Sequence, residues 1–114
     1  MEVQGKEFEC VDPRGIRIVC FVRAWEHATK HREIEGEQGI IKAIIETPDF
    51  INRSKVVKNS HLYYKRLVLK TVGDTYVRVV TEIKREHLLN KWGLLKTALA
   101  CNGEREEEVR LWTK

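Results

Sequence analysis

The sequence predicts an α+β domain, with an N-terminal β-hairpin and two helices packed on one face of an antiparallel sheet of about four strands. Three observations carry this. Ile40, Ile41, Ile44 and Ile45 recur at helical spacing and make one wide apolar stripe. From Tyr76 to Ile83 the residues alternate as a half-buried strand does, with Val77, Val79 and Ile83 on one face and Tyr76, Arg78, Val80 and Glu82 on the other. Asp12-Pro13-Arg14-Gly15 separates two stretches rich in Val, Ile and Phe, and its order of residues suits a type I turn closed by a glycine bulge.

Taken in order, residues 6–11 and 16–22 form the hairpin, which places Cys10 and Cys20 on one face, near but not opposite each other. The pattern then becomes helical, and a period of 3.6 brings Ala24, His27, Ala28 and His31 onto one stripe. Gly36 interrupts it. A second helix, from about residue 37 to residue 46, carries the Ile stripe and ends before Pro48, because a proline pushes its predecessor out of helical space. Strands are expected beyond Pro48: one within residues 55–70, a turn at Val72-Gly73-Asp74, the alternating stretch 76–83, a mixed loop ending at Trp92-Gly93, and a last strand over 94–101. The charged tail 104–114 reads as a short helix or a strand. The chain forms one domain, 1–114, with its core in residues 6–101, and it contains no repeat or linker. One sheet face is covered by the Ile helix, and the other, bearing Arg78, is expected to be open.

Composition narrows the classes. Apolar residues make up 42% and charged residues 33% of the 114, enough to bury one core of modest size. Lys and Arg number 21 against 17 acids, a net charge of +4 that permits a polyanionic partner without requiring one. The polar start Met1–Lys6 argues against a secretory signal, and no apolar run is long enough to span a bilayer. Three widely spaced cysteines with no C-x-x-C pair argue against a disulfide framework, so a cytoplasmic location is expected. Glycine-rich phosphate loops, Ser-His-Asp ordering, H-E-x-x-H and Walker-like patterns are absent, and no cofactor is implied.

A few residues carry possible chemistry. His27 and His31 either hydrogen-bond at a helix–sheet seam or serve as general acid and base, since imidazole titrates nearest neutral pH. Gripping a metal ion is a third use of such a pair, but no Glu follows His27 and no third ligand is evident, so no metal site is assigned. Tyr63-Tyr64-Lys65-Arg66 interleaves aromatics and cations, which fits either an ordinary strand or a phosphate clamp with stacking surfaces. Arg78 lies inside an otherwise apolar strand and needs a partner or a ligand. Thr97 is the hydroxyl of its strand, either structural or bonded to a phosphate oxygen.

In order, Trp25-x-His27, His31-Arg32-Glu33, Thr47-Pro48-Asp49, Tyr63-Tyr64-Lys65, Tyr76-Val77-Arg78-Val79-Val80 and Lys96-Thr97-Ala98 resemble the phage and mobile-element branch of the barnase–EndoU–colicin–RelE nuclease fold. The likeness covers residues 6–101. Arg32 stands where the family has proline, and Leu99 where it tends to have an aromatic. The resemblance implies a metal-independent endoribonuclease of the toxin or phage-conflict kind, acting on RNA and neutralised by an antitoxin or immunity protein. It puts His31 in the histidine role, with His27 secondary, Lys65 or Arg78 in the cation role, and Thr97 in the hydroxyl role. Tyr63, Tyr64, Arg66 and Trp25 are then expected to contact substrate. The implied reaction is attack of a 2′-hydroxyl on the adjacent phosphorus to give a 2′,3′-cyclic phosphate. The rival expectation is a non-catalytic RNA- or protein-binding module on the same sheet.

Overall fold

The computed structural model describes residues 5–34, 36–86 and 90–114. Chain order is β1 (Lys6–Val11), β2 (Arg17–Phe21), α1 (Val22–Ala28), α2 (Ile40–Glu46), β3 (Phe50–Ser54), β4 (Ser60–Leu69), β5 (Gly73–Glu86), β6 (Asn90–Cys101) and β7 (Glu108–Thr113). The strands form one seven-stranded sheet in the order β1-β2-β6-β5-β4-β3-β7. Neighbours are antiparallel except β2 and β6, which run parallel through Arg17–Trp92, Ile18–Gly93 and Val19–Leu94. The class is α+β as the sequence predicts, but the sheet is mixed and nearly twice as wide as expected.

The β1–β2 turn forms as the residues dictate. The Gly15 N–H donates to the Asp12 carbonyl at 2.9 Å, and Gly15 sits at φ +87°, a conformation glycine takes without steric cost. The Asp12 side chain holds the turn by accepting the Arg14 and Ile16 N–H groups at 2.8 and 3.0 Å. Opposite pairs are Phe8–Cys20 and Cys10–Ile18, so the two cysteines share a face one pair apart; both are buried, and burial raises their thiol pKa values to about 11 and about 12.

Ile41, Ile44 and Ile45 of α2 are fully buried against Ile51, Tyr63, Val77 and Val79, which lie side by side on one face of the sheet. Helix α1 is shorter than its periodicity suggests. It stops at Ala28, where the Thr29 N–H and hydroxyl both donate to the Trp25 carbonyl at 2.9 and 2.8 Å. Ile34, fully buried, then draws the following turn back onto the core.

Three additions account for the width: the hairpin, β3 and β7. The hairpin is not a separate flap, because β2 joins the sheet beside β6. Strand β3, before the stretch expected to be strand, pairs with β4 from Phe50 to Arg53. The charged tail, helix or strand by sequence, supplies β7, which pairs with β3. Val56 and Val57 lie in the β3–β4 turn, 75% and 59% exposed, rather than in a strand. The loop expected after Ile83 is largely strand as well, and its residues 87–89 lie outside the described ones. Gly93 sits within β6 where side chains approach closely: a Cβ would lie 2.5 Å from Ile18 Cδ1 and 3.2 Å from Ile83 Cδ1, so one of them would have to shift.

The face away from the helices is covered where Arg78 lies. Tyr64 donates its hydroxyl proton to Glu108 at 2.6 Å and accepts from Arg78 Nε at 2.8 Å, while Arg78 also donates to the Gly103 carbonyl at 3.3 Å. Asn52 donates to Glu104 and Glu108, and accepts from Arg110. Phe50 stacks on Tyr64 with ring centroids 4.8 Å apart. The end of the chain thus covers this face around Tyr64 and Arg78, and among the described residues no buried side-chain polar atom lacks a partner. No described helix is long and apolar enough to cross a membrane.

Candidate active site

Strand β2 pairs with β6 only as far as Leu94. Beyond that point the same edge of β6 is taken by α1 and the turn after it, with Glu33 accepting the Ala100 N–H at 3.2 Å. Here β6 also carries a bulge: Val80 faces Thr97 and Thr81 faces Leu95, which leaves Lys96 as the extra residue. Bulges re-aim side chains and are enriched beside active sites. At this one the His31 imidazole Nε2 lies 3.2 Å from Thr97 Oγ1, across 66 residues of sequence. The His27 ring stands edge-on to that of His31, with centroids 6.2 Å apart. His27 and Thr97 line a cleft of about 440 Å³ whose other walls include Arg23, Lys96 and the apolar Phe21, Leu94 and Leu95.

Three residues singled out from the sequence therefore meet: His27, His31 and Thr97. The two histidines do so although His31 lies beyond the end of α1, so their nearness comes from the turn and not from helical spacing. Among the described residues, no third His, Cys, Asp or Glu completes a metal-binding group with them.

The other expected residues are elsewhere. Lys65 lies half-buried on the helix-covered side, where its ammonium donates to the Thr47 carbonyl and hydroxyl at the end of α2. Arg78 is 6% exposed and committed to Tyr64 and Gly103 on the opposite face. Neither cation lines the cleft of His27 and Thr97; each is held by its own partners. Tyr63 and Tyr64 are both fully buried and cannot stack on a base. Tyr63 donates to Asp12 at 2.6 Å; burial first, and then that carboxylate, push its pKa far up. Arg66 is exposed and forked onto Asp74 at 3.0 and 2.7 Å. Trp25 packs edge-on against Phe8, 5.7 Å between centroids, and belongs to the core.

The cations that do line the histidine cleft are Arg23 and Lys96. Arg23 precedes His27 by four residues, a helical spacing visible in the sequence. Lys96 adjoins Thr97, but its place depends on the bulge, which leaves no mark in the pattern of residues. A second polar constellation also escapes sequence reading. Arg14 donates through Nε and Nη2 to the buried Asp12 carboxylate, through Nη2 to the Tyr63 hydroxyl, and through Nη1 to His61 Nδ1 at 3.0 Å. Guanidinium can only donate, so Nδ1 is an acceptor and His61 is the neutral tautomer protonated at Nε2. Burial first, and the Arg14 charge second, bring the His61 pKa down to about 4. No protein-family model, no curated protein and no solved structure matches this chain.

Proposed function

We propose that this chain is a metal-independent endoribonuclease of the toxin or phage-conflict kind, with its reacting groups in the cleft between α1 and β6. The observation that supports it is the meeting of His31 with Thr97 at 3.2 Å, with the His27 ring 6.2 Å away. The two imidazoles stand edge-to-face, so both can reach one phosphoryl group bound beside the pair. One takes the proton of the 2′-hydroxyl as its oxygen attacks phosphorus; the other gives a proton to the 5′-oxygen as the P–O5′ bond breaks. The products are a 2′,3′-cyclic phosphate and a free 5′-hydroxyl. Thr97 orients His31 or hydrogen-bonds a phosphate oxygen. Arg23 and Lys96, rather than Lys65 and Arg78, stabilise the charge that gathers on the remaining oxygens. A toxin of this kind is held in check by a neutralising protein partner.

The test is cleavage of total cellular RNA in excess chelator, with product ends mapped. Cyclic-phosphate ends are expected, and substrate with 2′-deoxyribose should stay intact. His31→Ala and His27→Ala should each lower the rate by about 10²–10⁴-fold without lowering the melting temperature. Cleavage of the deoxy substrate, or intact RNA after prolonged incubation, overturns the proposal. The second reading, a non-catalytic module that binds RNA or protein, is favoured by one observation: Lys65 and Arg78 are tied down inside the protein.

A further inference from the structure

A groove of about 870 Å³ lies at the end of the sheet that holds the β1–β2 and β3–β4 turns. Its floor includes His61 and Ile83, from the adjacent strands β4 and β5. One rim is the hairpin tip with Arg14. The second is Arg53 with Lys55 and Lys58 of the β3–β4 turn, and the third is Lys84, Arg85 and Lys91 where β5 ends and β6 begins. Among the described lining residues there is no carboxylate.

These seven cations are one third of the 21 in the chain, whose net charge is only +4; without them the remainder would be net negative by three. Charge is thus segregated into one concavity, where like charges repel unless a polyanion lies among them. Arg14 is paired with Asp12 and Lys84 with Glu82; the other five cations, spread over two rims, still exceed what a single phosphate can use. Among the described lining residues there is no Trp, Tyr or Phe on which bases could stack. The Arg14–His61 unit is prebuilt. Asp12, whose side chain is fully buried, clamps the guanidinium at 2.7 Å, and the neutral imidazole is left with an Nε2–H donor that carries no charge.

We propose that this groove docks the phosphate backbone of a single RNA strand, without reading its bases and independently of cleavage. The choice of RNA over an acidic protein rests on the endoribonuclease reading above; the groove itself rests on the placement of charge.

The test uses the full chain and a fluorescein-labelled 2′-O-methyl RNA of about 12 nucleotides, which cannot be cut by 2′-hydroxyl attack. Anisotropy should show tight binding at low salt. The triple variant Lys55→Gln, Lys58→Gln, Lys91→Gln changes only exposed side chains, and it should weaken binding about 10- to 100-fold. The slope of log affinity against log salt should fall by about 2, at roughly 0.7 for each phosphate no longer neutralised. A purine and a pyrimidine oligomer should bind alike. Unchanged affinity and slope in the variant overturn the proposal, as does displacement of the RNA by poly-glutamate at equal charge concentration. Wild-type protein that binds the oligomer but leaves natural RNA uncut removes the enzyme and keeps the groove. Cleavage with binding indifferent to the three substitutions does the reverse.

Discussion

At the scale of single residues, partners decide what a side chain can do. Arg78 looks functional in sequence because a cation interrupts an apolar strand, and that reasoning is sound as far as it goes: it does need a partner. The partners are Tyr64 and Gly103, so the guanidinium is spent inside the protein. His61 makes the opposite case, plain in sequence and distinctive in its setting. Its pKa of about 4, set by burial and then by Arg14, compares with about 6.5 for an imidazole in an unfolded chain. As pH falls, the unfolded chain therefore takes up this proton before the folded one does. Stability from this group is whole above about pH 6.5 and is lost progressively down to about pH 4. Partial exposure holds the loss to about 1–2 kcal/mol. We expect His61→Gln, which cannot be protonated, to show a flatter decline of stability than wild type across that window, read by urea unfolding at successive pH values. Parallel curves would mean that His61 already titrates normally in the folded state.

At the scale of elements, what is legible is whatever announces its own burial. The α2 stripe and the alternation of β5 are local patterns, and Ile44, Ile45, Val77 and Val79 are fully buried as those patterns require. The turn at Asp12–Gly15 is legible for the same reason, since its chemistry is complete within four residues. Strand β3 is not: five residues, Phe50–Ser54, give too few alternations to register, and its Asn52 is buried only because Glu104, Glu108 and Arg110 satisfy it from far along the chain. Gly93 misleads, because beside Trp92 it reads as a loop end, whereas it marks the close approach of β2 to β6. This makes a test of the parallel pairing. Gly93→Ala places a methyl 2.5 Å from Ile18 Cδ1, the far end of a fully buried side chain that must shift to admit it. We expect a loss of about 1–3 kcal/mol in chemical denaturation. Ile18→Val removes the clashing carbon, at a cost of about 0.5–1.5 kcal/mol by itself. The double variant should then be more stable than the sum of the two losses implies, by at least about 0.5 kcal/mol. Strict additivity would show that the two side chains do not meet.

At the scale of the whole molecule, which side chains meet is set by strand order, and strand order is where sequence reasoning stops. His31 reaches Thr97 because β2 joins β6 in parallel and then releases its edge to the turn after α1. No local pattern encodes that crossover. The C-terminal tail is the other such case. Sequence places the core in residues 6–101 and leaves the charged remainder outside, yet β7 is the edge of the sheet, and Trp112 packs onto the core. Its charges belong there: Glu108 accepts from Tyr64 and Asn52, and Glu104 accepts from Asn52 and Arg110. Deleting residues 104–114 would strip the buried Tyr64–Arg78 pair of its carboxylate and leave Asn52 unsatisfied. It would also bare the edge of β3 to intermolecular pairing. Removing one side of a buried polar network costs about 3–5 kcal/mol, a large share of the 5–15 kcal/mol typical of a whole domain. We therefore expect the truncated chain to lose its cooperative urea transition or to aggregate on gel filtration. Glu108→Gln keeps β7 and an acceptor oxygen, so it should lose only about 1–2 kcal/mol and stay monodisperse. If the truncated chain unfolds at the wild-type midpoint, β7 is an appendage to the sheet; if Glu108→Gln fails as badly as truncation, the single carboxylate outweighs the strand that carries it.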